Sequence, residues 1–411
     1  MTPEINGQRL LEDLRQLRSF GAAGTGVVRL ALSPVDIAAR HWLAGRMAEA
    51  GLAANIDGVG SVWGRSTRPG PRLLIGSHTD TQPTGGWLDG ALGVIYGLEI
   101  ARALQECPAT RDFAVDVVSW SDEEGTFSGY LGSRSFVGEP VDESIAQATN
   151  LSGEKLADAL RSAGLGDQPR YRLQPGRYTA YLEPHIEQGG RLEAAGKSIG
   201  IVTSIVGIRE KRITFTGQRN HAGTTPMAIR RDAGAALIDF AHGLNGAFAA
   251  LADADTVWTF GRIELDPGAL GVIPGRAELL LQYRDGDPAR LQAMDDCLAA
   301  RMRDADARGP VRVALADADL PSEPAQMSAA IQDHIAAAAE RIAPGRWLRM
   351  PSGAGHDAQV IAPHLPSGML FVPSIGGISH DFTEDTDVAE IVLGCRVAAL
   401  AAVGILRAAQ I

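Results

Sequence analysis

The sequence predicts an α/β protein with a smaller α+β domain inserted into it, and two observations carry that expectation. Towards both ends of the chain, apolar strand candidates alternate with helical patterns, and polar, chemically capable residues stand at or just after the strands' C-terminal ends. Between about 208 and 325 the pattern changes to strand, helix, strand, strand, without such residues at the strand ends. The expected organisation is residues 1–207 and 326–411 as two parts of one domain and 208–325 as the insertion.

The elements follow from local patterns. Residues 33–52 predict a helix: Ser33 suits the N-cap, Pro34 the first helical position, and Asp36 stands where a capping box places its acid. Ile37, Trp42, Leu43 and Met47 recur at roughly helical spacing, and Gly51 ends the run. Apolar runs predict strands at 72–76, 113–120, 178–182 and 369–373, and helical patterns lie at 91–105, 154–163 and 326–341. In the insertion, 211–217, 277–284 and 311–316 predict strands around an Ala-rich helix at 230–251.

Composition narrows the function classes. With 45% hydrophobic and 21% charged residues, the chain of 411 residues has the balance of a globular protein with an ample core. A net charge of −11 argues against a nucleic-acid partner, which favours a basic face. Cys107, Cys297 and Cys395 are far apart and odd in number, so neither a disulfide framework nor a thiolate metal site is expected. Reduced thiols fit a cytoplasmic location. The N-terminus, MTPEINGQRLLEDL, lacks the apolar core of a signal peptide. No window is expected to approach the length of a membrane span, and 390–408, interrupted by Glu390, Arg396 and Arg407, predicts a buried C-terminal helix.

Five clusters carry candidate chemistry. Gly76-Ser77-His78-Thr79-Asp80 pairs a histidine with an aspartate two residues on, which suits a metal ligand whose tautomer and basicity a carboxylate sets. Asp89 follows in a Gly-rich turn, where a carboxylate can bridge two cations. Asp122-Glu123-Glu124 follows a very apolar strand; such acids repel one another unless a cation is present, and one can then bind it while its neighbour moves protons. Glu183-Pro184-His185 is the third cluster, and Gly353-Ala354-Gly355-His356 with Gly376-Gly377-Ile378-Ser379-His380 the fourth. The fifth, Asn220-His221-Ala222-Gly223, lies in the insertion and could supply an electrophile on domain closure. Each cluster alone also fits a structural role, such as a loop histidine, an N-cap aspartate, a solvated acid run or a capped turn. Four histidine and acid clusters at four strand ends are harder to explain structurally.

The motifs GSHTDTQPTGGWLDGALGV, DEEG with LGSRSF, PHIEQG with LEAAGKSIGIVT, NHAGTTPM, and MPSGAGHDA with GMLFVPS occur in order along nearly the whole chain. Together they resemble the M20-type metallopeptidase and amidohydrolase superfamily, and within it the hydantoinase/carbamoylase branch of N-carbamoyl-L-amino acid hydrolases, β-ureidopropionases and allantoate amidohydrolases. The resemblance implies a mixed-sheet, di-metal aminopeptidase-like catalytic domain, with the insertion as a dimerisation and lid domain. It implies two divalent ions (Zn, or Mn, Co or Ni), one held by His78, Asp89 and His185 and the other by Asp89, Glu124 and His380. Glu123 is implied as the base and His221, from the partner subunit of a homodimer, as the group that stabilises the tetrahedral intermediate. Gln188, Arg284, Gly355 and His356 are implied to bind substrate, with Arg284 clamping its carboxylate.

The chain departs from the family pattern at Thr79, usually leucine, at Asp122, often asparagine, and at Gly271, where many relatives carry a substrate-binding asparagine. None is an implied metal ligand, so the departures bear on the substrate. The expected activity is hydrolysis of an N-carbamoyl-L-amino acid or related ureido acid to amino acid, ammonia and carbon dioxide. Alternatives on the same site are an N-acyl-L-amino acid amidase or dipeptidase and an allantoate-type amidohydrolase. A rival of another class is a non-catalytic binding protein on a decayed scaffold, against which the intact ligand set argues.

Overall fold

The computed structural model describes residues 3–318 and 322–410. The chain divides into two compact units, one of residues 1–203, 326–350 and 356–411, the other of 204–325 and 351–355. The second unit thus takes in residues 351–355, including Gly355, which the expected boundaries gave to the first.

The first unit is built on a mixed sheet. Its central strands Arg72–His78, Ala114–Trp120, Ala180–Ile186 and Ser367–Val372 run parallel. Antiparallel strands flank them, Val62–Arg65 and Ala53–Ile56 on one side and Ile199–Ile205 on the other. Every residue of the four central strands is buried, as expected where helices cover both faces of a parallel sheet. Side chains such as Ile75, Val117, Leu182 and Leu370 each contribute about 1.5–3 kcal/mol through this burial. Two central strands run further than their apolar runs predict. Ser77-His78 and Pro184-His185-Ile186 are within strands, so their side chains are held by the sheet ladder rather than by loops.

The Pro34–Glu49 helix begins as expected, with Ser33 Oγ accepting from Asp36 N–H. The Asp36 carboxylate accepts from the N–H of Leu32, one residue before the cap. The C-terminal helix Val388–Ala408 corrects one expectation, because it is long and apolar enough to cross a membrane by length and composition. Its apolarity has a local cause: Ile391, Cys395, Val397, Ala398, Ala401, Ala402 and Ile405 are buried in the main core, where the helix packs on the Ala329–Ile342 helix and the Ser367–Val372 strand.

The second unit has the order strand Gly207–Thr216, helix Ala233–Leu251, strands Val257–Asp266 and Arg276–Asp285, helix Pro288–Arg308 and strand Arg312–Asp317. Its sheet is antiparallel, with Val257–Asp266 at one edge and Arg312–Asp317 at the other. Both helices pack on one face over Phe215, Leu237, Phe248, Leu279, Leu291 and Leu298. The sequence predicts neither the Val257–Asp266 strand nor the Pro288–Arg308 helix. The edge strand is mostly exposed and lacks a clean alternation. The helix shows only Leu291, Met294, Leu298 and Met302 to the core, a narrow stripe among many charges.

Candidate metal centre

Sheet register sets the site. Arg72–His78 pairs with Ala180–Ile186 at Ile75↔Leu182, so continuing three residues puts His78 level with His185. Their rings stand 6.0 Å apart between centroids. On the other side His78 pairs with Trp120, so the acid run emerges directly beyond it. The turn carrying Asp89 returns over these strand ends before the Ala91–Glu106 helix. Gly90 caps that helix at φ 62, and a Cβ there would collide with the His78 ring, so only glycine meets both demands.

Two groups of potential ligand atoms result, and Asp89 belongs to both. His78, Asp89 and His185 form one, and Asp89, Glu124 and His380 the other, with the atoms of each group within 4.8 Å of one another. His185 Nε2 is 3.3 Å from Asp89 Oδ1, and His380 Nε2 is 3.2 Å from Asp89 Oδ2 and 3.7 Å from Glu124 Oε2. Glu123 is in neither group, yet its Oε2 lies 3.6 Å from His78 Nε2. The adjacent glutamates are therefore unequal in position.

Protonation matches that arrangement. His78 Nδ1 lies 3.0 Å from the Asp80 carbonyl, and His185 Nδ1 lies 2.9 Å from the Ile186 carbonyl. Each Nδ1 thus carries a proton and each Nε2 faces the carboxylates with a lone pair. Burial holds the His185 imidazole down at about 4. Burial opposes ionisation of Asp89, but its hydrogen bond with His380 and the neighbouring imidazoles of His185 and His78 keep its carboxyl below the usual range. The same bond lifts His380 to about 9. Burial, then the charges of Glu124, Asp357, Asp80 and Asp89, pushes Glu123 well above the carboxylate range, and burial with Asp89 does the same to Glu124. Carboxylates packed against the Nε2 lone pairs of His78 and His185 are a donor set that a divalent cation satisfies, so the residues fit the divalent metal use that the family resemblance implies.

The Asp80 carboxylate does not meet His78, which corrects the role expected of it. The backbone carbonyl of Asp80 orients the imidazole, while its Oδ2 accepts from Glu124 N–H at 3.1 Å. Gln188 places its amide Nε2 3.0 Å from Asp89 Oδ1 and 3.3 Å from His380 Nε2. His356 is buried edge-to-face against His185, with ring centroids 4.6 Å apart. Three residues of these loops, Asp122, Gln188 and His380, hold positive φ without being glycine, a strain that clusters at functional sites.

Several residues at the site escaped the sequence. Gln82 donates to Glu124 Oε2 at 2.8 Å and to Oε1 through its N–H at 3.2 Å. Glu384 accepts from the N–H groups of Leu88 and Asp89 and from Ser379 Oγ, and burial lifts its carboxyl to about 7. Gln82 was visible as a polar side chain inside TQPTGG, and Glu384 as an acid four residues past His380.

The second unit carries the other expected residues. His221 is exposed on the short strand Asn220–His221, and its Nδ1 accepts from the N–H groups of Gly223 and Thr224 at 3.0 and 3.2 Å. In its neutral form the imidazole therefore carries its proton on Nε2. Arg284 is half-buried, with Nε on Gln282 Oε1 and Nη1 on the Gly353 carbonyl, both at 2.9 Å. Gly271 accepts from Ala222 N–H, and a Cβ there would meet nothing within 4 Å.

The family model described as peptidase family M20/M25/M40 matches residues 74–403. The chain belongs to this family. It is 35% identical over 408 residues to an N-carbamoyl-L-amino acid amidohydrolase of Geobacillus stearothermophilus, covering 96% of this chain and 97% of that one. It is 34% identical over 401 residues to the allantoate amidohydrolase of Escherichia coli K12, covering 96% of each. A solved structure of a hydantoinase/carbamoylase family amidase from Burkholderia phymatum matches at 63% identity and a TM-score of 0.94, covering both chains fully. The family match spans every residue of the two ligand groups.

Proposed function

We propose that this M20 family member is a di-metal amidohydrolase that cleaves the linear C–N amide bond of an N-carbamoyl-L-amino acid or related ureido acid. The observation that carries the reading is the pair of ligand groups sharing Asp89, with Glu123 close by and outside both. His78, Asp89 and His185 would hold one ion, and Asp89, Glu124 and His380 the other. Bound there, divalent ions supply Lewis-acid polarisation of the carbonyl and acidify the attacking water.

The chain's own residues account for the rest. Glu123 takes the proton of the attacking water and delivers it to the departing nitrogen. Burial and the acids around it hold its carboxyl above the usual carboxylate range, which strengthens it as a proton acceptor. His221 offers Nε2–H as a donor to the developing oxyanion, because its Nδ1 is already engaged by two backbone N–H groups. Arg284 clamps the substrate carboxylate with its planar fork. Gln188, Gly355 and His356 complete the substrate contacts. Water attack breaks one C–N bond, and the carbamate that results loses carbon dioxide by breaking the other, so one ureido acid and one water give the amino acid, ammonia and carbon dioxide.

The second unit serves as the lid and dimerisation domain in this reading, with His221 contributed across a homodimer. Support comes from its exposed apolar side chains: Val257, Ile263 and Leu265 on the edge strand, Ile238 on the adjacent helix, and Leu270 in the hairpin loop. An unpaired apolar edge of this kind suits pairing with a second copy.

The test is a panel of N-carbamoyl-L-amino acids, allantoate and N-acyl-L-amino acids, assayed for ammonia with Zn²⁺, Mn²⁺, Co²⁺ and Ni²⁺ in turn. Ammonia from carbamoyl substrates supports the reading, and ammonia from allantoate alone moves it to the allantoate type. Amine release from N-acyl substrates without ammonia, or no turnover with any metal, overturns it.

A further inference from the structure

The first unit holds a second cluster of buried charge behind the candidate ligands. Arg40 and Asp36, one turn apart on the Pro34–Glu49 helix, are both fully enclosed, with Arg40 Nε 2.7 Å from Asp36 Oδ2. Arg40 Nη1 donates to the carbonyls of Gly60 at 2.9 Å and Trp120 at 3.2 Å. Trp120 ends the strand that leads into Asp122-Glu123-Glu124. Arg40 Nη2 faces Asp80 Oδ1 at 3.6 Å, and neither atom has a hydrogen-bond partner among the described residues.

Asp80 touches one residue from each ligand group. Its carbonyl receives His78 Nδ1 and its Oδ2 receives the Glu124 N–H. It is therefore a strut between the two groups, and among the described residues Arg40 is the one cation that pairs with Asp80. A second buried arginine steadies the same segment, since Arg29 Nε donates to the Thr79 carbonyl at 2.6 Å. A buried arginine needed only to neutralise Asp36 has no reason to reach both the strand end and Asp80. The planar fork allows these engagements at once, which the point charge of lysine does not.

We propose that Arg40 is a positioning residue for both metal sites: by facing the Asp80 carboxylate and holding the Trp120 carbonyl, it fixes His78 and Glu124 relative to each other. The inference rests on the reading of His78 and Glu124 as metal ligands. It adds a residue that lies remote from substrate and metal and acts through Asp80.

The experiment strips the full-length protein of metal with a chelator and titrates it with Co²⁺, followed by calorimetry and visible absorption. Arg40→Lys and the double variant Arg40→Met with Asp36→Asn are compared with wild type. The double variant removes both buried charges together, so one of the pair does not lose its fold through a stranded partner. Arg102→Met is the control, because Arg102 is buried, pairs with Asp13 at 2.6 Å and touches neither ligand group. The expected result is two Co²⁺ equivalents for wild type and for Arg102→Met with the same spectrum. Folded Arg40 variants should bind about 10–100-fold more weakly and show shifted cobalt bands. Arg40 variants with wild-type affinities and spectrum, or an equal loss in Arg102→Met, overturn the inference. Failure of wild type to take up Co²⁺ overturns the metal reading itself, and the inference falls with it.

Discussion

At the scale of single residues, position rather than identity separates the two acids of the Glu123-Glu124 pair. Glu124 lies among the atoms around Asp89 and His380, whereas Glu123 stands beside His78 and outside both groups. Glu123→Gln is expected to lower kcat by about 10²–10⁴-fold, the contribution of a positioned proton carrier, while bound metal is unchanged. Steady-state kinetics with metal analysis checks this. In the metal-free protein the variant's Tm should equal or exceed that of wild type, because amide for acid removes a carboxyl whose ionisation burial and the charges of Glu124, Asp357, Asp80 and Asp89 oppose. The sequence displayed these candidates because a histidine or an acid stands at or after the C-terminal end of each central strand. It did not display the use of Asp80, since a residue name does not say whether its carbonyl or its carboxylate will face a neighbour.

At the scale of elements, buried acids also organise turns away from the site. Asp57 sits between the Ala53–Ile56 and Val62–Arg65 strands and accepts from Val59 N–H, Ser61 N–H, Trp63 Nε1–H and Tyr171 N–H. Burial nevertheless lifts its carboxyl from 3.8 to about 6. The folded state then holds the Asp57 proton more tightly than the unfolded chain. The cost of ionising it is absent below about pH 4 and fully present above about pH 6. From this group alone, stability rises as pH falls through that window, by on the order of 3 kcal/mol. Urea unfolding of wild type and Asp57→Asn from pH 4 to 7.5 tests this, and the variant should lack that component of the pH slope. The hairpin itself is not legible in the sequence, because its strands are four residues each and one of them is nowhere fully buried. The same cause hid the Val257–Asp266 edge strand, whereas the fully buried central strands declared themselves as continuous apolar runs.

At the scale of the whole molecule, the proposed metals couple to stability and the exposed edge to assembly. Ligands that bind the folded state alone stabilise it by mass action, by about 2.7–4.1 kcal/mol at 100–1,000 times Kd. Chelation should therefore lower Tm, and Zn²⁺ or Co²⁺ should restore it, as followed by differential scanning fluorimetry. If two copies pair through the second unit, a charge on its edge should separate them. Ile263→Glu, at a residue 52% exposed, should leave the fold's stability within about 0.5 kcal/mol of wild type and shift the mass measured by light scattering towards the monomer. A wild-type mass already that of one chain would remove the dimer from the reading.

The sequence by itself determined which residues could do chemistry and at which strand ends they would emerge. Strand runs, turn glycines and the order of the motifs are local properties that neighbouring residues impose. Tertiary structure alone decided which of those residues meet. Asp89 joins His185 and His380, residues 96 and 291 positions further along the chain, only because the Ile75↔Leu182 register and the turn before the Ala91–Glu106 helix bring them together. Gln82 on Glu124, Glu384 behind Asp89 and Arg40 behind Asp80 are likewise long-range meetings. No spacing along the chain encodes them, because contact across a sheet depends on how the surrounding core packs.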